Sequence, residues 1–181
     1  MSDHSMSILR ILTIGHSTRT IADFIDLLRT HGVQLIVDIR TVPRSRHNPQ
    51  FSENTLAASL KKSGIEYVRL KELGGLRHPM KDSPNMGWRN ESFRGFADYM
   101  QTPDLEVALS ELVRLAQGRS VAIMWAEALP WRCHRSLVAD ALLARGIKVE
   151  HIMKLKKPTE HSMTKFAKVD GRQITYPELP A

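Results

Sequence analysis

The chain has 181 residues, of which 42% are hydrophobic and 25% charged, enough apolar material for one globular core. This composition excludes a disordered chain, a collagen-like chain and a small domain held by disulfides. The net charge of +7 predicts an anionic partner, either a phosphate-bearing small molecule or nucleic acid. The single cysteine excludes an intramolecular disulfide and a multi-cysteine zinc site, and it makes the reducing cytoplasm the expected location.

One pattern occurs four times along the chain: a helix-like stretch ends in glycine, and a short apolar run follows it. Glycine ends helices readily because it adopts the left-handed conformation at little cost. Short apolar runs after such ends are typical of buried parallel strands. With one further run near the start, they predict strands over residues 8–14, 33–37, 65–68, 121–124 and 147–149. The first run is too short to span a membrane and no cleavage site follows it, so we expect no membrane contact and no signal peptide.

Amphipathic stretches between these runs predict five helices. The first begins at Thr20, which forms a capping-box pattern with Asp23. The helices are expected over residues 20–31, 52–63, 92–100, 103–117 and 133–146. Regular alternation of strands and helices predicts an α/β fold, a single three-layer domain with a mostly parallel sheet of about five strands flanked by helices. Residues 1–153 would form this domain, and the basic tail at 154–181 would pack on it or trail from it.

Polar, cationic and glycine residues follow four of the five predicted strands. The carboxyl ends of parallel strands lie at one edge of a sheet, where such folds bind ligands. Arginine suits an anion because its guanidinium donates two parallel hydrogen bonds. The expected ligand-binding residues are Ser17, Asp38, Arg40, Arg44, Arg46, Gly74, Gly75, Arg77 and Arg135. The alternative is that these arginines are separately solvated or pair with nearby acids.

Four residues at the same edge are candidate catalytic groups. His16, Glu127 and His134 would transfer protons, although Glu127 could equally anchor an arginine. Cys133 lies at the start of the last predicted helix among cationic residues, a setting that lowers the pKa of a thiol. It is therefore a candidate nucleophile or persulfide carrier, and the alternative is a small buried side chain.

No metal-binding pattern is present, since the chain lacks HExxH, CxxC and Asp-x-Asp. We therefore expect no metal, and no sequence signature indicates a cofactor. The loop at about 71–90 is long for a compact domain, which predicts a binding loop or lid. Its Trp88 would stack on a flat ligand or pack the loop onto the body.

Several ordered motifs closely resemble the domain of unknown function 488 family. They are T-I-G-H-S at 13–17, V-D-I-R at 37–40, L-G-G at 73–75, A-E at 126–127 and C-H-R at 133–135. The resemblance spans about residues 11–177 and implies a soluble, mostly prokaryotic α/β protein of unestablished activity. Relatives commonly have a cysteine where this chain has Trp125, so a paired-thiol site is not expected here. The surroundings of Cys133 are also loosely similar to rhodanese-type sulfurtransferases, in which the reactive cysteine directly follows the strand.

Three hypotheses of different classes follow. The first is a phosphate-bearing ligand, nucleotide or nucleic-acid-like, bound at the carboxyl edge of the sheet, with phosphoester or nucleotide chemistry if the protein is an enzyme. The second is a non-catalytic nucleic-acid-binding module, supported by the net charge and the lysines of the tail. The third is a sulfurtransferase or redox protein that uses Cys133.

Overall fold

A computed structural model describes residues 9–180 of the chain. Parallel strands form most of one sheet: Arg10–Gly15 (β1), Leu35–Asp38 (β2), Glu66–Arg69 (β3), Val121–Trp125 (β4) and Lys148–Ile152 (β5). A short strand, Thr159–Glu160 (β6), pairs antiparallel with β5. The order across the sheet is β3-β2-β4-β1-β5-β6. The predicted α/β class with a mostly parallel sheet is confirmed.

Helices cover both faces of the sheet. Ile21–Thr30 (α1) and Glu53–Lys62 (α2) pack on one face, and Glu91–Tyr99 (α3), Pro103–Leu115 (α4) and Arg135–Leu143 (α5) pack on the other. The chain moves from β1 to β3 in one direction across the sheet and from β3 to β5 in the other. Right-handed crossovers therefore place the two sets of helices on opposite faces. Within residues 9–180, no helix combines the length and the apolar character needed to cross a membrane.

The central strands are buried on both faces, which explains why they appear as continuous apolar runs in the sequence. In β4, Val121 and Ile123 pack with α3, α4 and α5, whereas Ala122 and Met124 pack with α1 and α2. A strand with helices on both sides needs apolar residues at consecutive positions, because successive side chains point to opposite faces.

The predicted helix ends are confirmed in detail. Thr20 Oγ1 accepts a hydrogen bond from the Asp23 amide at 3.1 Å, which caps α1. The four glycines before the strands have φ angles between +67° and +75°, in the left-handed region that favours glycine: Gly32, Gly64, Gly118 and Gly146. Predicted and observed boundaries differ by at most three residues. Ile8, the first residue of the first predicted strand, lies outside the described residues.

The tail contains secondary structure that the sequence analysis missed. Besides β6, the short strands Lys168–Asp170 (β7) and Gln173–Thr175 (β8) form an antiparallel hairpin. These strands are mostly exposed, so they lack the apolar pattern that revealed the others. Beyond the hairpin, Tyr176 is fully buried in the core beside α5, and its hydroxyl donates to Asp140 Oδ2 at 2.8 Å.

Replacing Tyr176 with phenylalanine removes the hydrogen bond to Asp140 Oδ2 and leaves a buried carboxylate oxygen without that donor. We expect Tyr176→Phe to lower the free energy of unfolding by about 1–3 kcal/mol, measured by urea denaturation. Tyr99→Phe is the control, because the Tyr99 hydroxyl makes no hydrogen bond to any residue in the described part of the chain. Equal stability of the two variants would contradict this role of Tyr176.

Candidate functional site

A cavity of about 470 Å³ opens at the carboxyl ends of β1, β2 and β4. We call it the first cavity. After β1 the chain enters α1 on one face of the sheet, and after β4 it enters α5 on the other. Open parallel sheets bind their ligands where neighbouring strands diverge in this way. The predicted site residues that line the first cavity are His16, Ser17, Arg40, Arg44 and Glu127.

Arg40 is held rigidly by Asp38 in a buried ion pair. Arg40 Nε lies 2.9 Å from Asp38 Oδ1, and Arg40 Nη2 lies 2.6 Å from Asp38 Oδ2. Nη2 also donates to the Phe51 carbonyl oxygen at 2.8 Å, and the Tyr67 hydroxyl donates to Asp38 Oδ2 at 2.7 Å. These bonds use the N–H groups of Nε and Nη2, so Nη1 is the group left to face a ligand. Asp38 does not line the first cavity and acts there by positioning Arg40.

His16 lies beside Arg40 in a tautomer that its neighbours define. Its Nδ1 is 2.8 Å from the carbonyl oxygen of Ser17, which can only accept, so Nδ1 carries the proton. Nε2 then presents its lone pair, and Arg40 Nη1 lies 3.4 Å from it. The imidazole stacks on Phe51 with 4.3 Å between ring centroids. Burial lowers the pKa of His16 from 6.5 to about 4, so the ring is neutral at pH 7 and offers an acceptor.

The turn after β1 is constrained by direct contact with the segment after β4. Ser17 has a φ of +51°, and no other non-glycine residue within 9–180 has a positive φ. A side chain at Gly15 would place its Cβ 1.8 Å from the Glu127 carbonyl oxygen. The Ser17 amide donates to the Ala126 carbonyl oxygen at 2.8 Å. Backbone strain of this kind is typical of functional sites, and here it presents Ser17 to the first cavity.

Exposed charges at the first cavity come from Arg44, Arg132 and Glu127. None of the three forms an ion pair with another described residue. Because Asp38 neutralises Arg40, the lining carries one net positive charge from these three groups. The expectation that the arginines pair with acids therefore holds for Arg40 but not for Arg44. Arg46 is exposed on the same segment and does not line the cavity.

Arg135, a predicted ligand-binding residue, is 0% exposed and does not line the first cavity. Its Nη2 donates to the Ala128 carbonyl oxygen at 2.6 Å, whereas Nε and Nη1 have no hydrogen-bond partner. Burial lowers the pKa of its guanidinium from 12.5 to about 10, so the group is charged at neutral pH. No carboxylate of residues 9–180 forms an ion pair with it. Ala128, whose carbonyl oxygen accepts from Arg135, lines the first cavity.

Gly74, Gly75 and Arg77 serve the packing of their own loop and do not line the first cavity. A Cβ at Gly74 would lie 2.4 Å from Thr41 Oγ1, and one at Gly75 would lie 2.3 Å from His134 Nδ1. Arg77 donates to the carbonyl oxygens of residues 72 and 74 and stacks over the ring of Tyr99. Close approach to Thr41 and His134 thus explains both glycines, and the contact of these three residues with a ligand stays a prediction.

The long loop at 71–90 is anchored to α3. Asp98 accepts hydrogen bonds from the Met80 amide, the Ser83 hydroxyl and the Asn85 side-chain amide. Trp88 packs edge-on against Phe93 and Phe166, with centroid distances of 5.1 and 4.9 Å. A lid has to separate from the body easily, and so many buried anchors favour the packing role of this loop over the predicted lid.

Cys133 is a buried side chain, 2% exposed, and does not line the first cavity. The last helix begins at Arg135, and Cys133 ends the short 3₁₀ turn Pro130–Arg132 before it. Burial raises the pKa of the thiol to about 12, even though the Arg135 amide donates to Sγ at 3.4 Å. The predicted lowering of this pKa is wrong because loss of solvation outweighs the neighbouring cations.

His134 is also buried and lies outside the lining of the first cavity. Its Nε2 donates to the Leu73 carbonyl oxygen at 2.7 Å, and its ring meets the edge of Trp125 with 4.3 Å between centroids. Burial lowers the pKa of His134 from 6.5 to about 4. The imidazole therefore supports the wall formed by Trp125, and its role in proton transfer stays a prediction.

Among the residues that shape the site without being predicted are Phe51 and Tyr67. Phe51 stacks on His16 and accepts from Arg40, and Tyr67 donates to Asp38. Tyr67 lies in β3, which neighbours β2 in the sheet. Its role could have been inferred from a strand order, which the sequence does not contain. For Phe51 the sequence carries no signal beyond an apolar residue next to the second helix.

A comparison with family models finds a match over most of the chain. The model described as "Domain of unknown function DUF488" matches residues 20–142, which is more than half of the chain. The range contains the segments after β2 and β4 that line the first cavity, and it excludes the turn after β1. No curated protein and no solved structure matches the chain. The resemblance drawn from the motifs is confirmed.

Cys133 should react slowly with alkylating reagents while the protein is folded. A pKa of about 12 leaves only about 10⁻⁴ of the thiol ionised at pH 8, and burial also blocks access. We expect iodoacetamide to modify native Cys133 at least about 100-fold more slowly than the same residue in urea, measured by intact mass. Native alkylation at the rate of the unfolded chain would contradict this burial and revive the sulfur-transfer hypothesis.

On acidification, stability should begin to decrease at a higher pH than the titration of carboxylates alone would produce. Burial lowers the pKa of His16 and His134 to about 4 and that of His151 to about 3, from 6.5. The unfolded chain therefore takes up protons as the pH falls through 6.5, and the folded protein does not. Above pH 6.5, these histidines should cause no change in the free energy of unfolding with pH. Below pH 6.5, they should lower it as the pH falls. Each histidine contributes about 1.4 kcal/mol per pH unit in this window.

Urea denaturation at pH values from 7.5 to 4.5 measures this slope. His16→Gln should remove about one third of it, since one of the three groups is gone. Stability that is constant from pH 7 down to pH 5 would show that the three rings are not held neutral in the folded protein.

Proposed function

This chain belongs to the family described as "Domain of unknown function DUF488", and we propose that its first cavity binds a phosphate-bearing ligand. The observation that carries the proposal is positive charge without a protein counter-ion. Arg44 and Arg132 line the cavity without ion-pair partners among residues 9–180, and Arg135 is buried behind it with two nitrogens unpartnered.

Arg135 is the strongest single indication of an anion. A guanidinium removed from water and left without a carboxylate is destabilising, by several kcal/mol in typical proteins. The Ala128 carbonyl oxygen is its one hydrogen-bond acceptor within residues 9–180. An anion in the adjacent cavity would offset this cost over a short distance through a medium of low dielectric constant.

The lining supplies the donors that a phosphate group requires. Arg44 and Arg132 can each donate two parallel N–H bonds, and Arg40 Nη1 is fixed in direction by the bonds of its neighbouring nitrogens to Asp38. Ser17 adds a hydroxyl at a strained turn. Arg40 Nη1 is thus a rigid donor, and Arg44 and Arg132 are flexible ones. Together they can hold an anion in one orientation.

Glu127 is the residue we propose for proton transfer, should the protein turn a ligand over. It is exposed and lines the first cavity, whereas Cys133 and His134 do not. A carboxylate beside a bound phosphate can accept a proton from an attacking water or hydroxyl, as phosphoester or nucleotide chemistry requires. His16 would act as a neutral acceptor next to Arg40.

Nucleic-acid binding is the second candidate, favoured by the exposed segment after β5. Residues 154, 156 and 157 are lysines, all exposed, and none forms an ion pair with another described residue. They do not line the first cavity. Binding through such contacts weakens steeply as salt increases, which separates this candidate from a small-molecule cavity.

Arginine variants test the leading proposal, with thermal shift and calorimetry against inorganic phosphate, ribose 5-phosphate and nucleoside monophosphates. Arg44→Ala and Arg132→Ala should each weaken binding of a phosphate compound by about 10-fold or more, because each removes charge-assisted hydrogen bonds. Both side chains are exposed, so the melting temperature without ligand should change little. Arg135→Ala is unsuitable, because that side chain is fully buried.

Arg46→Ala is the matched control, an exposed arginine two positions from Arg44 that does not line the cavity. It should leave binding unchanged. An equal loss in Arg46→Ala would show that the charge of the surface, and not the cavity, binds the anion. No stabilisation by any phosphate compound would overturn the proposal.

A further inference from the structure

A second cavity of about 580 Å³ shares a wall with the first. The shared wall is the short turn Pro130–Arg132 with the residue before it. Leu129 and Arg132 line the first cavity, whereas Pro130 and Trp131 line the second. A ligand that occupies one cavity therefore lies next to the other.

We propose that the second cavity binds the base of a nucleotide whose phosphate occupies the first cavity. This inference rests on the proposed function and specifies its ligand class. A nucleotide has a charged end and a flat, uncharged end, and the two cavities differ in the same respect.

Charge separates the two cavities. Arg40, Arg44 and Arg132 line the first. Of the residues that the structure describes, no arginine or lysine lines the second. Its acidic residue, Glu160, has its carboxylate 3.5 Å from Lys148 Nζ. A phosphate group would find no cation there, so the second cavity suits the uncharged part of a ligand.

Two tryptophans give the second cavity a surface for a flat ring. The Trp131 side chain is 63% exposed and lines the cavity. Stacking a base on an indole strengthens binding without requiring a particular base. Trp88 also lines the cavity, and its Nε1 is buried with no hydrogen-bond partner among the described residues.

A buried chain of hydrogen bonds fixes the remaining wall. Asp140 Oδ1 accepts from His161 Nε2 at 2.8 Å. His161 Nδ1 lies 2.9 Å from His151 Nε2, and His151 Nδ1 lies 2.6 Å from Thr13 Oγ1. Each ring nitrogen thus has a partner within the wall. His151 and His161 line the second cavity as fixed rings.

The spacing of Trp131 and Arg132 fits the two ends of one nucleotide. Consecutive Cα atoms lie about 3.8 Å apart, and side chains of adjacent residues in a 3₁₀ turn point about 120° apart. The indole and the guanidinium therefore leave the same turn toward different cavities. In a nucleotide, one ribose ring separates the base from the phosphate. Two neighbouring residues can therefore contact the two ends of the same ligand.

The experiment compares ligands that contain one or both ends of a nucleotide. Calorimetry would measure binding of AMP, GMP, CMP and UMP, of ribose 5-phosphate, and of adenosine. We expect at least one nucleotide to bind about 10-fold or more tightly than ribose 5-phosphate, because stacking adds to the phosphate contacts. Trp131→Ala should reduce that nucleotide to the affinity of ribose 5-phosphate and leave ribose 5-phosphate itself unaffected. Trp131→Phe should retain most of the gain.

Leu155→Ala is the control, because Leu155 is an exposed apolar residue that lines neither cavity. It should bind every ligand as the parent does. If nucleotides and ribose 5-phosphate bind equally, with dependence on Arg132 but not on Trp131, the nucleotide assignment is overturned and the proposed function stands. Absence of binding by any phosphate compound overturns both. Adenosine that binds as tightly as AMP, with dependence on Trp131, would overturn the link between the cavities.

Discussion

The buried ion pair between Asp38 and Arg40 determines the geometry of the first cavity. It stands at the carboxyl end of β2 and reaches β3 through Tyr67 and the turn after β1 through His16. Taking two charges out of water is costly, and the cost is met only when the pair has good geometry and further hydrogen bonds. Both conditions are satisfied here, since Asp38 accepts from Tyr67 as well and Arg40 donates to the Phe51 carbonyl oxygen. One side of the cavity is consequently rigid before any ligand arrives.

Around this neutral pair, the arginines of the sequence divide into groups with different roles. Arg40 is neutralised, and Arg77 is used by its loop, so neither contributes free charge to the cavity. Arg44 and Arg132 contribute exposed charge at the lining, and Arg135 contributes buried charge behind it. An arginine-rich sequence thus yields a site with few free cations, which is what binding one anion in one place requires. Non-specific binding of polyanions would instead require all of the arginines to be exposed at the surface.

The fold could be predicted from the sequence because its signals are local. Glycines with positive φ end the helices before Val33, Ile65, Val121 and Ile147, and apolar runs follow because the strands are covered on both faces. The same signals show which edge of the sheet carries the strand ends that border the first cavity, but the burial of residues there could not be predicted. Cys133 and Arg135 have the sequence context of reactive or ligand-binding groups, yet tertiary packing removes both from water, and desolvation then outweighs local charge. The strands of the tail were missed because exposed strands carry no apolar pattern.

Two buried residues after β4, Cys133 and Arg135, have a common structural role. The Arg135 guanidinium donates to the Ala128 carbonyl oxygen, and the Arg135 amide donates to Cys133 Sγ, so both ends of the Pro130–Arg132 turn are tied to the start of α5. That turn separates the two cavities and directs Trp131 and Arg132 into them. Gly15 completes the arrangement, because a side chain there would displace both the Glu127 carbonyl and Arg135 Nη1. Cys133 and Arg135 therefore fix the wall on which the exposed Trp131 and Arg132 are placed.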